Sequence, residues 1–318
     1  MLSSNLLDEF ADQGYVIARN ILDPDTVLQP VIDEYASVAD RLGKRWIPDE
    51  YDPSESPIER MLQLMRETHG ACFQAMDITL PLEDDILPDT PMHLGPAVFH
   101  LLRNEALLDA VETFIGPEIL SNPVQHMRIK PPQSSISAKN KPHTLTLTGK
   151  TSWHQDLAVV TEDADQTNLV SVWLPLNEAT VENGCLLVVP GSHKLGLVHH
   201  CDTPTFQGIP EHLIGESKVP LPVSPGDVIL LHPLIMHASL PNLSDGGRWS
   251  FDLRYSPAGQ PTGRRWYPEF IARSRAHPET ELTDPEQWAD SWQSARRALA
   301  GKPRPAFARW DPADPLCA

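Results

Sequence analysis

Two stretches of this chain carry side chains whose type and spacing suit metal chemistry: the run Thr151-Ser152-Trp153-His154-Gln155-Asp156, and the apolar run from Val228 to Ser239. Residues i and i+2 of an extended strand share a face, so His154 and Asp156 are expected to converge on one point. A second imidazole from a neighbouring strand would complete a set of two imidazoles and one carboxylate. Three ligands on one face of an ion leave the opposite face open, the arrangement of non-haem iron(II) oxygenases. A thiolate-rich set would instead suit zinc or an iron–sulfur cluster. Cys72, Cys185, Cys201 and Cys317 lack the paired spacing for either.

Alone, His-x-Asp is a weak signal, and the chain contains a second copy at His200-Cys201-Asp202. That copy follows the turn around Pro190-Gly191-Ser192-His193 in a polar stretch without strand patterning, and it reads as chance. His193 reads as a turn residue. For the third ligand the run from Val228 offers His232 and His237, which have opposite parity along one strand and cannot both face inward. Asp245-Gly246-Gly247 is a hairpin signal that folds the segment from Arg248 to Tyr255 back antiparallel to that strand. Arg248 is then expected across the ladder from His237, on the same face. A fixed guanidinium beside an open metal site suits a ligand carboxylate gripped through two hydrogen bonds. This favours His237 and leaves His232 as a locally packed residue.

These residues need a scaffold. Leu6 to Gln13 predicts a short helix ended by Gly14, Tyr15 to Ala18 a short strand, and Asp23-Pro24 the start of a helix to about Leu42. Residues 43–95, rich in Pro, Asp and Glu, read mostly as loop. Leu101, Leu102, Leu108, Val111 and Ile115 recur at helical spacing before Gly116-Pro117 and predict one amphipathic helix. From Val124 short β runs follow: VQHMRI, TLTLT, LVSVWLPL, CLLVVP, VILLHPLIMHAS and RWSFDLRY. Thr283 to Glu286 starts a last helix to about Leu299, followed by a Pro-rich tail. Helices first and short strands after predict an α+β protein. Its core would be a double-stranded β-helix (jelly-roll), with N-terminal helices packed on one sheet and a C-terminal helix. We expect a single domain over 1–275, its barrel core at about 124–256, and a C-terminal helix and tail over 276–318. The 32 prolines argue against a mainly helical chain.

The net charge of −18 would repel a phosphate backbone, so nucleic acid is not an expected partner. From Ile119 to Gln155 there is no acid, while Arg128, Lys130, Lys139, Lys141 and Lys150 fall there. This stretch is either a solvated loop or a positive funnel for an anionic ligand. No apolar run approaches the roughly 20 residues that span a bilayer, and the first residues lack the pattern of a signal peptide. With four scattered cysteines read as reduced thiols, the expected compartment is the cytoplasm.

The run WHQD, then VWLPLNEATVENGCLLVVPGSHK, then GDVILLHPLIMHASLPN with Arg248 resembles the phytanoyl-CoA dioxygenase family of Fe(II)/2-oxoglutarate-dependent oxygenases. The upstream Lys130-Pro131-Pro132 matches as well. The likeness covers residues 124–256 in order and spacing, and extends loosely to the N-terminal helix-strand-helix. It implies that His154, Asp156 and His237 hold iron(II), and that Arg248 grips the far carboxylate of 2-oxoglutarate. It further implies that Ser239, Trp173 and Lys130 line or contact this co-substrate, each with a plainer alternative as strand cap, core residue or solvated cation. The implied reaction is hydroxylation of a small organic molecule with dioxygen, releasing succinate and carbon dioxide. Asp156 matters here, because halogenating relatives carry a small residue in place of the carboxylate. The charge of −18 makes a multiply phosphorylated CoA thioester a poor general guest. A small organic acid, amino-acid derivative or natural-product intermediate is the expected substrate. Its contacts would come from residues 43–95, 133–150 and 199–218. Two rival readings predict different behaviour: a binding protein that keeps metal and 2-oxoglutarate without oxidation, and a zinc-type hydrolase or isomerase indifferent to both oxygen and Arg248.

Overall fold

The computed structural model describes residues 4–81, 85–136, 151–203, 207–303, 309–311 and 314–317. Helix α1 (Ser4–Gln13) leads into strand β1 (Tyr15–Ala18), with Gly14 at φ +80° as the turn between them. Asp23 caps a π-helical turn, Pro24–Leu28, that runs into α2 (Gln29–Trp46). Within the stretch expected to be loop the structure places a further helix, α3 (Pro57–Glu67). Its start signal is plain in retrospect: Ser56 accepts from the Glu59 amide and Pro57 holds the first helical position. The single helix expected to end near Ile115 is two, α4 (Pro96–Leu102) and α5 (Glu105–Ile115). Asn104 breaks them by capping the Leu107 amide.

The strands that follow are β2 (Glu118–Lys130), β3 (Val170–Pro175), β4 (Leu186–Val188), β5 (Cys201–Asp202), β6 (Gln207–Gly208), β7 (Val219–Leu221), β8 (Val228–Leu231), β9 (His237–Ser239), β10 (Arg248–Pro257) and β11 (Phe270–Ser274). The expected TLTLT strand lies outside the described residues. A six-stranded sheet has the order β1-β8-β3-β10-β2-β11, and a three-stranded sheet the order β7-β4-β9. The run from Val228 to Ser239 is therefore not one strand. Pro233, without an amide proton, ends β8, and the Ile235 amide closes a turn onto the His232 carbonyl. The chain then crosses to the smaller sheet, so β8 and β9 lie in different layers of a jelly roll.

Alternation along the large sheet decides what faces where. In β10, Trp249, Phe251, Leu253 and Tyr255 join one apolar cluster with the helices, as do Val170, Val172 and Leu174 of β3. The intervening Arg248, Asp252 and Arg254, with Ser171 and Trp173, face the space between the two sheets. The helical layer thus covers one face of the sheet and leaves the polar face for chemistry. The C-terminal helix α6 (Pro285–Leu299), capped by Asp284, adds Trp288 and Trp292 to the same cluster.

Two further expectations change. Cys201 and Cys317, 116 residues apart, form a disulfide, while Cys72 and Cys185 are free and buried. The cytoplasmic expectation loses the support it drew from four reduced thiols. Among the described residues no helix is long and apolar enough to cross a membrane. Of the basic stretch read as either a solvated loop or a positive funnel, Arg128 and Lys130 are not in a solvated loop but on β2: Arg128 pairs with Asp252 and lines the space between the sheets, and Lys130 is 2% exposed. Lys139, Lys141 and Lys150 lie outside the described residues.

Candidate active site between the sheets

His154 and Asp156 converge, although not as neighbours on a regular strand. His154 makes a single antiparallel bridge to His237, each amide donating to the other's carbonyl at 3.0 Å. This exchange sets the two rings side by side, 4.2 Å between centroids. The chain then turns into a 3-10 helix, Asp156–Val159, whose first residue swings its carboxylate under both rings. Asp156 Oδ1 lies 3.8 Å from His154 Nε2 and 3.9 Å from His237 Nε2. Gln155, between the two, points away and is held by the carbonyls of Gly196 and Leu234.

The tautomers follow from the backbone. A carbonyl oxygen can only accept, so His154 Nδ1–H donates to Ser152 O at 2.9 Å and His237 Nδ1–H to Ile235 O at 3.1 Å. Each ring therefore turns its Nε2 to the common space, oriented as a metal-binding imidazole requires. Burial first, and then the neighbouring His237, hold His154 well below the usual histidine range, which keeps it neutral. Burial works to raise the Asp156 pKa, but the adjacent Arg254 guanidinium overcomes it and holds the carboxyl below its usual range. Two imidazoles and a carboxylate, their ligand atoms all within 4.8 Å of one another, are a donor set that fits one divalent cation.

Arg254 is the residue that sequence reasoning missed. Its Nη2 donates to Asp156 Oδ1 and its Nη1 to Val124 O at 3.0 Å. The carbonyl is available because the pairing of β2 with β10 slips beside Pro123, between Asp252 and Arg254. A signal existed: Arg254 shares parity with Arg248 along RWSFDLRY, so both were bound to face the same side.

Arg248 reaches the cavity by a route different from the one expected. It is not opposite His237 on a shared ladder; β10 pairs with β2 and β3, and Arg248 opposes Lys130. His237 comes from the other sheet, and the two side chains meet across the interior. Arg248 is 1% exposed, donates from Nη1 to Gly184 O at 2.8 Å, and lies over the Trp173 ring with its guanidinium carbon 5.0 Å from the centroid. Among the described residues no carboxylate is within salt-bridge distance of it, and its Nε–H has no partner. Burial pushes its pKa down to about 10. Gly184 has φ +92°, and a Cβ there would meet Leu240 O at 2.5 Å, so the turn that presents its carbonyl requires glycine.

Ser239 lines the cavity and Lys130 lies behind it. The lysine ammonium donates to Ser239 Oγ at 2.5 Å and to Leu240 O at 2.6 Å, and the Thr151 amide donates to the same Oγ at 3.1 Å. With both lone pairs of the hydroxyl taken, its own proton is left to donate towards the cavity. Burial, and then Arg248 and Arg128, hold Lys130 well below the usual lysine range. The cavity is lined by His154, Asp156, His237, Ser239, Trp173 and Arg248, with Arg128 and Arg254 among its further walls. His232 is elsewhere, packed 4.9 Å from the His193 ring.

A jelly roll whose inner face carries an open two-histidine, one-carboxylate set beside a buried guanidinium defines a class of metal-dependent oxygenases. The family model described as phytanoyl-CoA dioxygenase (PhyH) matches residues 10–250, and the chain belongs to this family of iron(II)- and 2-oxoglutarate-dependent oxygenases. It is 28% identical over 272 residues to the 1-deoxypentalenic acid 11-beta-hydroxylase of Streptomyces arenae, covering 81% of this chain and 82% of that one. It is 26% identical over 257 residues to the peroxisomal phytanoyl-CoA dioxygenase of Homo sapiens, covering 78% and 67%. For some other relatives the match spans about half of their length. The solved structure of the non-haem monooxygenase ThoJ shares the fold, with a TM-score of 0.57 at 18% identity, covering 92% of this chain and 96% of that one.

Proposed function

We propose that this chain hydroxylates a small organic molecule using iron(II), 2-oxoglutarate and dioxygen, with His154, Asp156 and His237 as the metal ligands and Arg248 as the anchor of the co-substrate. The observation that carries this reading is the buried Arg248 guanidinium, without an acidic partner among the described residues, on the same cavity as the donor set. A buried cation of this kind calls for an anion.

Iron held there would supply the oxidising chemistry, coupling the breakdown of 2-oxoglutarate to succinate and carbon dioxide with attack on a substrate C–H bond. The chain's residues do the rest. The backbone carbonyls of Ser152 and Ile235 aim the two imidazoles. Arg254 holds the Asp156 carboxylate ionised and in place. Trp173 braces Arg248 from one side and Gly184 O from another, leaving the guanidinium one orientation in which to meet the far carboxylate. Ser239 offers a hydroxyl donor to the same carboxylate, and Lys130 acts through Ser239 as a positioning residue. The burial of Arg248, Ser239 and His237 between the two sheets limits the competition of water for these groups.

The substrate we favour is an organic acid, an amino-acid derivative or a natural-product intermediate. The relative named as a 1-deoxypentalenic acid hydroxylase is in keeping with that class. Anaerobic addition of iron(II) and 2-oxoglutarate should produce a charge-transfer absorption band that His237→Ala abolishes. A screen of small acids should then find one that stimulates succinate formation. Turnover that needs neither oxygen nor 2-oxoglutarate would favour the hydrolase reading and overturn ours.

A further inference from the structure

We infer that His199, Cys201 and Cys317 form a second metal site, separate from the cavity, that takes a thiophilic divalent cation such as zinc when the Cys201–Cys317 disulfide is reduced. The three come from two regions of the chain 116 residues apart, and their ligand atoms lie within 4.8 Å of one another. The His-x-Asp copy at His200 to Asp202 reads as chance for iron, yet the residues around it, His199 and Cys201, face the C-terminal tail. Two sulfurs and an imidazole are a zinc-type set, quite unlike the two imidazoles and carboxylate of the cavity.

The geometry is already close to that of a bound ion. Cys317 Sγ is 3.5 Å from His199 Nε2. In a tetrahedral zinc site, with Zn–S of about 2.3 Å and Zn–N of about 2.1 Å, that separation is about 3.6 Å. His199 Nδ1 lies 3.9 Å from Asp314 Oδ2, on the far side of the ring. A carboxylate behind the imidazole is the usual support of a metal-bound histidine, orienting the ring and raising its basicity. Trp310 packs edge-on to His199 and stacks on His200 at 4.8 Å, walling the cluster with apolar surface. Cys201 is 9% exposed, so the sulfurs are partly sheltered from solvent. Three protein ligands leave the fourth position to water.

The redox step is balanced by a dithiol or phosphine reductant. It delivers two electrons to the disulfide, two protons complete the thiols, and the cation then displaces both protons as the thiolates bind. Either state clasps the tail to residues 199–202. His200 Nε2 in turn accepts from the Gln155 amide at 3.0 Å, between the two cavity ligands His154 and Asp156.

Cobalt(II) titrated anaerobically into the full chain tests this, because thiolate-to-cobalt charge transfer in the near ultraviolet reports this site and not the cavity. We expect the phosphine-reduced protein to bind two equivalents with that band, and the oxidised protein to bind one without it. Cys317→Ser should lose the second equivalent and keep the first, which serves as the control for folding. Asp314→Asn should weaken the second equivalent about tenfold. A reduced protein that binds cobalt with no thiolate band overturns the inference, as does a band that survives in Cys317→Ser. Loss of the first equivalent alone would count against the cavity assignment and leave this one standing.

Discussion

Replacing Arg248 with methionine should separate two effects that usually fall together, co-substrate affinity and stability. In the folded chain the guanidinium is buried and its pKa is pushed down to about 10, which corresponds to about 3 kcal/mol of unrecovered burial cost. Methionine removes that cost and fills similar volume, but forfeits the bond to Gly184 O, worth about 1.5–3 kcal/mol, and the contact with Trp173, worth about 1–2 kcal/mol. The sum is close to zero. The apo variant should therefore melt within about 4 °C of wild type, at roughly 2–4 °C per kcal/mol for a large domain. Co-substrate binding should behave differently. Truncating one side of a buried charge pair costs about 2–5 kcal/mol, so affinity for 2-oxoglutarate should fall about 30-fold or more. The assay is anaerobic titration of the iron(II) protein with 2-oxoglutarate and with 2-oxopentanoate, which lacks the far carboxylate. Wild type should discriminate strongly between the two and the variant barely at all. Unchanged discrimination would refute the assignment of Arg248. A melting temperature lowered by more than about 10 °C would make the arginine a structural residue.

Other expectations follow from the same geometry. Arg254→Leu strands the buried Asp156 carboxylate, so the metal-free variant should lose about 3–5 kcal/mol of stability. Saturating cobalt(II) should then raise its melting temperature more than that of wild type; an equal rise would show that Arg254 does not hold the ligand. His232 is pushed down to about 4 by burial and then by His193. The unfolded chain takes up a proton below about pH 6.5 that the folded ring refuses, so this contribution is intact above pH 6.5 and is lost as pH falls towards 4. His232→Asn, which can still accept from the Leu234 amide, should flatten urea-unfolding midpoints across that window. Parallel wild-type and variant profiles would show that the ring titrates normally.

Much of this was legible because local chemistry leaves local periodicity. RWSFDLRY alternates, and the structure packs its aromatic and leucine positions on the helices and turns its charges inward. Asp284-Pro285 marked the last helix. The Ser56-Pro57 start of α3 was equally local; the acidic, proline-rich composition around it obscured four buried apolar side chains at helical spacing, Met61, Leu62, Leu64 and Met65.

By itself the sequence determined which residue types could bind a metal, which parity each strand residue would take, and the family pattern that ties His154, Asp156, His237 and Arg248 together. Tertiary structure alone decided how they meet. His154 and Asp156 converge through one bridge and a 3-10 turn, His237 and Arg248 approach from opposite sheets, and Arg254 reaches a carboxylate 98 positions away. Lys130 lies behind Ser239, and Cys317 closes on Cys201. The reason is physical. Side-chain alternation and capping act between residues a few positions apart, whereas the partner of a buried charge or thiol is set by the packing of distant elements.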